Sequence, residues 1–206
     1  AARSCRVTVG TSAAGWTEED CDYLCDGSAD EAELNAAIAA LLTLGGGKLM
    51  ILAGTYSLTG DIRVADDHGG AYVEAEDYKS VWLCGEGGGT VLSGPYTIQH
   101  EKCRLRISSL HLEDVKIKCM SQYIDYSEFT MHDCSVPASG GIVVWENAAA
   151  AEVRNCRFSV NDQYTAGERL IFLVLSGGKI RIQDNIIDAG QNGEYAPSEN
   201  THGINI

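Results

Sequence analysis

The sequence is short of proline, with 3 in 206 residues, and it has no CxxC pair, no run of basic residues and no long apolar stretch. Glycine is plentiful at 23 residues, and 45% of the chain is apolar. Glycine-rich, proline-poor chains with many short apolar runs fit all-β architectures with frequent tight turns. The longest apolar runs, Ile38–Leu44 and Leu170–Leu175, are too short for a bilayer, so no membrane span is expected. The eight cysteines are scattered and lack the close paired spacing of a tetrahedral zinc site, so no metal and no cofactor is expected. They read as mostly reduced, buried small hydrophobes, which suits assembly in a cytoplasm. Lys and Arg number 15 against 29 Asp and Glu, a formal charge of −14. A polyanion such as nucleic acid is repelled by that balance, and nucleic acid is not an expected partner.

What is present begins with a helix. Ser28-Ala-Asp30-Glu31 has the pattern of a capping box, in which a serine hydroxyl and a glutamate carboxylate satisfy each other's amides. Leu34, Ala37, Ile38, Leu41 and Leu42 follow at one-face helical spacing, and Gly45-Gly-Gly47 stops the run. The spacing predicts a helix near residues 30–44. Asp26, Ser28 and Asp30 alternate as in a calcium loop, but Glu31 and Ala37 stand where that loop requires Gly and Glu.

After the helix the pattern changes to short strands and turns. Lys48 to Tyr56 and Ser80 to Cys84 are the first of these. Gly85 to Gly89 is a turn, because the Gly-Lys-Ser/Thr ending of a phosphate loop is missing. A loose repeat then appears in Ile107-Ser-Ser109-Leu-His-Leu112, Met131-His-Asp133-Cys-Ser-Val136, Val153-Arg-Asn155-Cys-Arg-Phe158 and Ile182-Gln-Asp184-Asn-Ile-Ile187. Its first positions are 24, 22 and 29 residues apart. A period in the twenties with strand patterning indicates a solenoid whose coils stack at the usual strand spacing of about 4.8 Å. Stacking predicts columns: Ser109, Asp133, Asn155 and Asp184 at a turn, Leu110, Cys134, Cys156 and Asn185 beside it. On the outer face it predicts Arg106, Thr130, Glu152 and Arg181, then Ser108, His132, Arg154 and Gln183. The regular Leu/Asn spacing of a leucine-rich repeat is absent, and the one Asn-Gly pair, at Asn192, lies in a long loop rather than a hairpin.

Cys25-Asp-Gly-Ser-Ala-Asp30, Glu33-Leu-Asn-Ala-Ala-Ile38, Gly45-Gly-Gly-Lys-Leu49 and Leu52-Ala-Gly-Thr-Tyr56 together resemble the opening of pectate-lyase-like β-helix proteins, an opening shared by phage tailspikes and prophage tail proteins. Cys84-Gly-Glu-Gly-Gly-Gly-Thr-Val-Leu92 is similar to that family's second coil. The resemblance covers roughly residues 20–95. It implies an all-β fold, a single-stranded right-handed parallel β-helix with an N-terminal capping α-helix. One domain over 1–206 is expected, with a lead-in segment at 1–27, the capping helix at 28–45 and coils over 48–206. Gly203-Ile-Asn-Ile206 resembles Gly141-Ile-Val-Val144 as the start of another coil, so the coils are expected to continue.

One scaffold of this kind carries lyases, hydrolases and adhesins, so function must be argued from sites. The family's lyases use acidic calcium ligands and a basic residue on one sheet, and no such set matches here residue by residue. The expected function is a structural and adhesive module of a phage or prophage tail that contacts bacterial surface glycan. Its expected location is the virion tail, assembled in the bacterial cytoplasm, and its expected partners are the glycan, further copies in a homotrimer, and other tail proteins. The alternative is a secreted or cell-surface polysaccharide lyase or glycoside hydrolase acting on an acidic or cell-surface polysaccharide. His132, Arg154, Trp145 and Tyr195 are the candidate glycan-binding residues, the last in the polar loop 189–201. Glycoside hydrolysis requires two carboxylates across the scissile bond, and Glu146 and Asp162 are the candidates. The plainer reading of the outer columns is a solvated face with surface ion pairs, and that of Trp145 is packing under a loop.

Overall fold

The computed structural model describes residues 5–65, 79–101, 103–120, 128–137, 141–145, 150–159, 171–174, 179–188 and 204–205. The chain opens with β1 (Cys5–Thr11), β2 (Tyr23–Cys25) and α1 (Glu31–Thr43). From there it passes through three parallel sheets in rotation. The first sheet takes β3 (Gly46–Ile51), β6 (Ser80–Cys84), β9 (Arg104–Ser108), β12 (Glu128–His132), β15 (Ala150–Arg154) and β18 (Lys179–Gln183), with β1 and β2 added at the β3 edge. The second takes β4 (Gly54–Ser57), β7 (Thr90–Ser93), β10 (His111–Glu113), β13 (Ser135–Val136), β16 (Arg157–Ser159) and β19 (Ile186–Asp188). The third takes β5 (Ile62–Ala65), β8 (Thr97–Glu101), β11 (Lys116–Met120), β14 (Gly141–Trp145), β17 (Ile171–Val174) and β20 (Ile204–Asn205).

Each group of three strands pairs with the group before it, so side chains align in columns. Met131 is paired with Ile107 and Val153, and Val153 with Ile182, as the repeat spacing requires. In the third sheet Ile62, Ile98, Ile117, Ile142, Ile171 and Ile204 are in register across six successive strands. β-Branched residues suit such a column, since they pack well on a pleated surface. Leu49, Leu83, Ile107, Met131 and Val153 form the buried column of the first sheet, and Tyr56, Leu92, Leu112 and Phe158 lie in the second. Each such side chain contributes about 1.5–3 kcal/mol on burial. The corner from the first to the second sheet is made by Ser109, Asp133, Asn155 and Asp184, all left-handed with φ of 56°, 57°, 51° and 55°. Asn and Asp tolerate that conformation better than most residues, which explains the polar column at this turn.

The helix lies against β1, β3 and β5 and buries Leu34, Ala37, Ile38, Leu41 and Leu42, the stripe read from spacing. Its start differs from the capping-box expectation. The helix begins at Glu31 rather than at 28, Ala29 is left-handed at φ 56°, and the N-cap Asp30 makes no side-chain cap bond. The fully buried Asp30 carboxylate instead accepts the Gly27 and Ser57 amides, each at 2.8 Å. Glu31 accepts the Thr59 amide at 2.8 Å and its hydroxyl at 3.0 Å. Both acids that looked like local caps thus tie the helix to β4 and the turn after it. Residues 5–25 are also more than a lead-in, since β1 and β2 extend the first sheet. Among the described residues, no helix is long and apolar enough to cross a membrane.

Candidate functional site: a cationic sheet face

In-register stacking gathers on the first sheet what the sequence scatters. One column runs Arg6, Lys48, Trp82, Arg106, Thr130, Glu152 and Arg181. The next runs Met50, Cys84, Ser108, His132, Arg154 and Gln183. Together with Arg104 and Lys179, the strands of this sheet carry seven of the fifteen Lys and Arg and two carboxylates, Glu128 and Glu152. On a chain of net charge −14, that is a local surplus of positive charge.

Trp82 is the centre of the upper part. The Lys48 ammonium, on the neighbouring strand β3, stands 4.2 Å from its ring centroid, and the Arg106 guanidinium, on the other neighbour β9, stands 4.3 Å from it. Each is within reach of the negative face of the ring, an attraction of about 0.5–1 kcal/mol at exposed sites. The indole N–H donates to the Ser108 hydroxyl at 2.7 Å, which fixes the ring's rotation. Arg106 donates from Nε at 2.9 Å and from Nη2 at 2.6 Å to His132 Nε2. A guanidinium has no acceptor, so Nε2 accepts and the imidazole proton sits on Nδ1. Nδ1 donates to Asp133 Oδ2 at 2.7 Å, and Asn155 Nδ2 donates to Asp133 Oδ1. The His132 and Asn155 hydrogen bonds hold the Asp133 carboxyl below its ordinary range. The result is a relay from Asp133 through His132 to Arg106 and Trp82. Lower on the face Glu152 bridges Arg154 at 3.3 Å and Arg181 at 3.6 Å, and Arg104 stands 3.9 Å from Glu128.

Beside the relay, at the corner, lies an open groove of about 300 Å³ lined by Gly87, Gly88, Asp133, Asn155, Arg157 and Asp184 among others. A second cluster, Cys25, Asp30 and Glu33, has ligand atoms within 4.8 Å of one another. Burial pushes the Cys25 thiol well up, and both Asp30 oxygens already accept amides, so this cluster serves the helix anchor.

Of the residues expected to bind glycan, His132 and Arg154 are paired neighbours in this sheet, but His132 is buried, as is Ser108 beside it, while Arg154 is exposed. Trp145 is in β14 of the third sheet, paired with Met120 and Val174, and so on a different sheet from His132. Glu146, Asp162 and Tyr195 lie outside the described residues. The expected Glu152–Arg181 contact is present as an ion pair. Reading the rungs alone missed Lys48 and Trp82. The signal was available: Trp82 precedes Arg106 by 24 residues, the same step that separates Ile107 from Met131. Compared with protein-family models, with curated proteins and with solved structures, the chain finds no match.

Proposed function

We propose that this chain is a right-handed parallel β-helix of the pectate-lyase-like kind, serving as a structural and adhesive module of a phage or prophage tail, and that its first sheet binds an acidic glycan of the bacterial surface. The architecture is supported by the rotation through three parallel sheets with in-register columns. Parallel crossovers are right-handed in about 98% of cases. The sequence resemblance supplies the tail setting, and in that setting the partners are the glycan, copies of the same chain and other tail proteins.

The observation that carries the ligand is charge: seven cations against two carboxylates on one sheet of an otherwise acidic chain. A glycan bearing carboxylates along its length matches cations repeated from coil to coil. Arg106 offers a planar fork for a carboxylate, and the half-buried Trp82 beside it offers apolar ring edge to a sugar. A glycan array of acidic and neutral oligosaccharides at low and high salt tests this. Acidic sugars should bind, binding should fade with salt, and Lys48→Ala with Arg106→Ala should weaken it more than about tenfold. Binding confined to neutral sugars, or unchanged in the double variant, overturns the reading.

The relay favours a second reading, a polysaccharide lyase. Elimination requires a base for the proton beside a carboxylate and a cation on that carboxylate. Arg106 moving from His132 to the substrate would supply the cation and bare the imidazole Nε2 as the base. Incubation with acidic polysaccharides, followed by the ultraviolet absorbance of unsaturated product, separates the two readings. Product formation that is lost in His132→Gln replaces adhesion with catalysis.

A further inference from the structure

Two cysteines meet at the corner beneath the relay. His132 is paired with Arg154 and Ser135 with Arg157, so Cys134 and Cys156, lying between those pairs, are vertical neighbours on successive coils. The Arg157 amide donates to the Cys134 carbonyl at 2.8 Å, which fixes that register. Coil spacing of about 4.8 Å falls within the Cα separations that a disulfide spans, about 4.4–6.8 Å. Each thiol reaches the carbonyl two residues before it, Cys134 to His132 and Cys156 to Arg154, both at 3.2 Å. The two side chains are near enough for each to shift the other's ionisation. They are 3% and 2% exposed, yet both line the open corner groove, where Gly87 and Gly88 supply no side chain to cover them.

We propose that Cys134 and Cys156 form an oxidation site whose substrate is a small peroxide, and that the pair closes to a disulfide joining two successive coils. The neighbouring Cys134 side chain holds the Cys156 thiol below its ordinary range, which favours its thiolate as the attacking sulfur. Cys156 attacks hydrogen peroxide: an S–O bond forms, the O–O bond breaks, and hydroxide leaves and takes up the thiol's proton as water. The Cys134 sulfur then attacks the Cys156 sulfenic acid. The S–S bond forms, the S–O bond breaks, and the hydroxyl leaves with the Cys134 proton as a second water. Two thiols lose two electrons, and one peroxide is reduced to two waters. A peroxide is small enough to reach thiols this deeply set, and the groove supplies the path. This site stands on its own geometry and does not depend on what the sheet face binds.

The test uses the full chain, fully reduced, desalted and titrated with hydrogen peroxide. Remaining thiols are alkylated, the protein is digested without reductant, and the peptides are analysed by mass spectrometry. The expected product is a peptide pair linked through Cys134 and Cys156, with a raised melting temperature that dithiothreitol reverses. In Cys134→Ser, and in Cys134→Ala should the serine disturb folding, Cys156 should instead stop at a sulfenic acid trapped by dimedone, with far-UV circular dichroism confirming the fold. Free thiols at both positions, a disulfide between other cysteines, or wild-type Cys156 oxidised without a cross-link overturns the proposal.

Discussion

His100 gives the sharpest quantitative test of the core. It sits in β8 of the third sheet, paired with Val64 and Cys119, and it is 1% exposed. Its Nε2 lies 2.6 Å from the Cys103 carbonyl, so Nε2 carries the proton and donates. Burial lowers its pKa from 6.5 to about 4, with the Cys103 hydrogen bond opposing that shift. Because the folded-state value lies below the unfolded one, the unfolded chain binds the extra proton first as the pH falls. The stability linked to this group is complete above pH 6.5, declines between pH 6.5 and about 4, and stays flat below that. A separation of about 2.5 units at 1.36 kcal/mol each gives a loss of about 3 kcal/mol across that window.

The perturbation is His100→Gln, which keeps an N–H for the Cys103 carbonyl and cannot be protonated in this range. Asp133 and Glu31, both held below the ordinary carboxyl range in the fold, also lose stability on acidification. They are common to both proteins and cancel in the difference. Urea unfolding at intervals from about pH 7 to about pH 4 should show wild-type stability falling by about 3 kcal/mol more than that of the variant. A difference under about 1 kcal/mol would refute the assignment of His100 as a neutral, fully buried group.

Asp30→Ala strands the Gly27 and Ser57 amides beneath the helix and should cost about 3 kcal/mol in urea unfolding. Gly46→Ala should cost at least about 2 kcal/mol by the same measurement. Gly46 has φ 99°, and an added Cβ would meet the Ser80 carbonyl oxygen and stand 2.9 Å from its amide nitrogen. Glu152→Gln removes both ion pairs to Arg154 and Arg181 but should shift stability by less than about 1 kcal/mol, since both arginines are exposed and Glu152 is partly so.

The sequence made the stacking legible because stacking leaves a mark in spacing. Met131, Val153 and Ile182 repeat an apolar position, Asp133, Asn155 and Asp184 repeat a left-handed turn, and both sets are in register or share the corner in the fold. The helix stripe was legible for the same reason, as a local period. The capping box was misread because its partners are not local: Ser57 and Thr59 lie more than two dozen residues beyond Asp30 and Glu31. The Lys48–Trp82–Arg106 ladder was hidden by an irregular step. Lys48 and Trp82 are 34 residues apart while Trp82 and Arg106 are 24 apart, so a fixed period fails at the join.

The order of charges down the column bears on what the face is for. Like charges placed directly opposite on neighbouring strands destabilise a sheet. From Lys48 downward the column avoids this: a ring separates Lys48 from Arg106, Thr130 follows, and Glu152 precedes Arg181. Arg6 and Lys48 break the pattern, since they are paired directly with no ring or acid between them. Lys48 leans over Trp82 on the side away from Arg6, which relieves the repulsion in part. An anion bridging the two would relieve it further and would stabilise the bound state relative to the free one. Binding of an acidic oligosaccharide should therefore weaken more in Arg6→Ala than in Arg181→Ala, because Arg181 already has Glu152 at 3.6 Å to satisfy it.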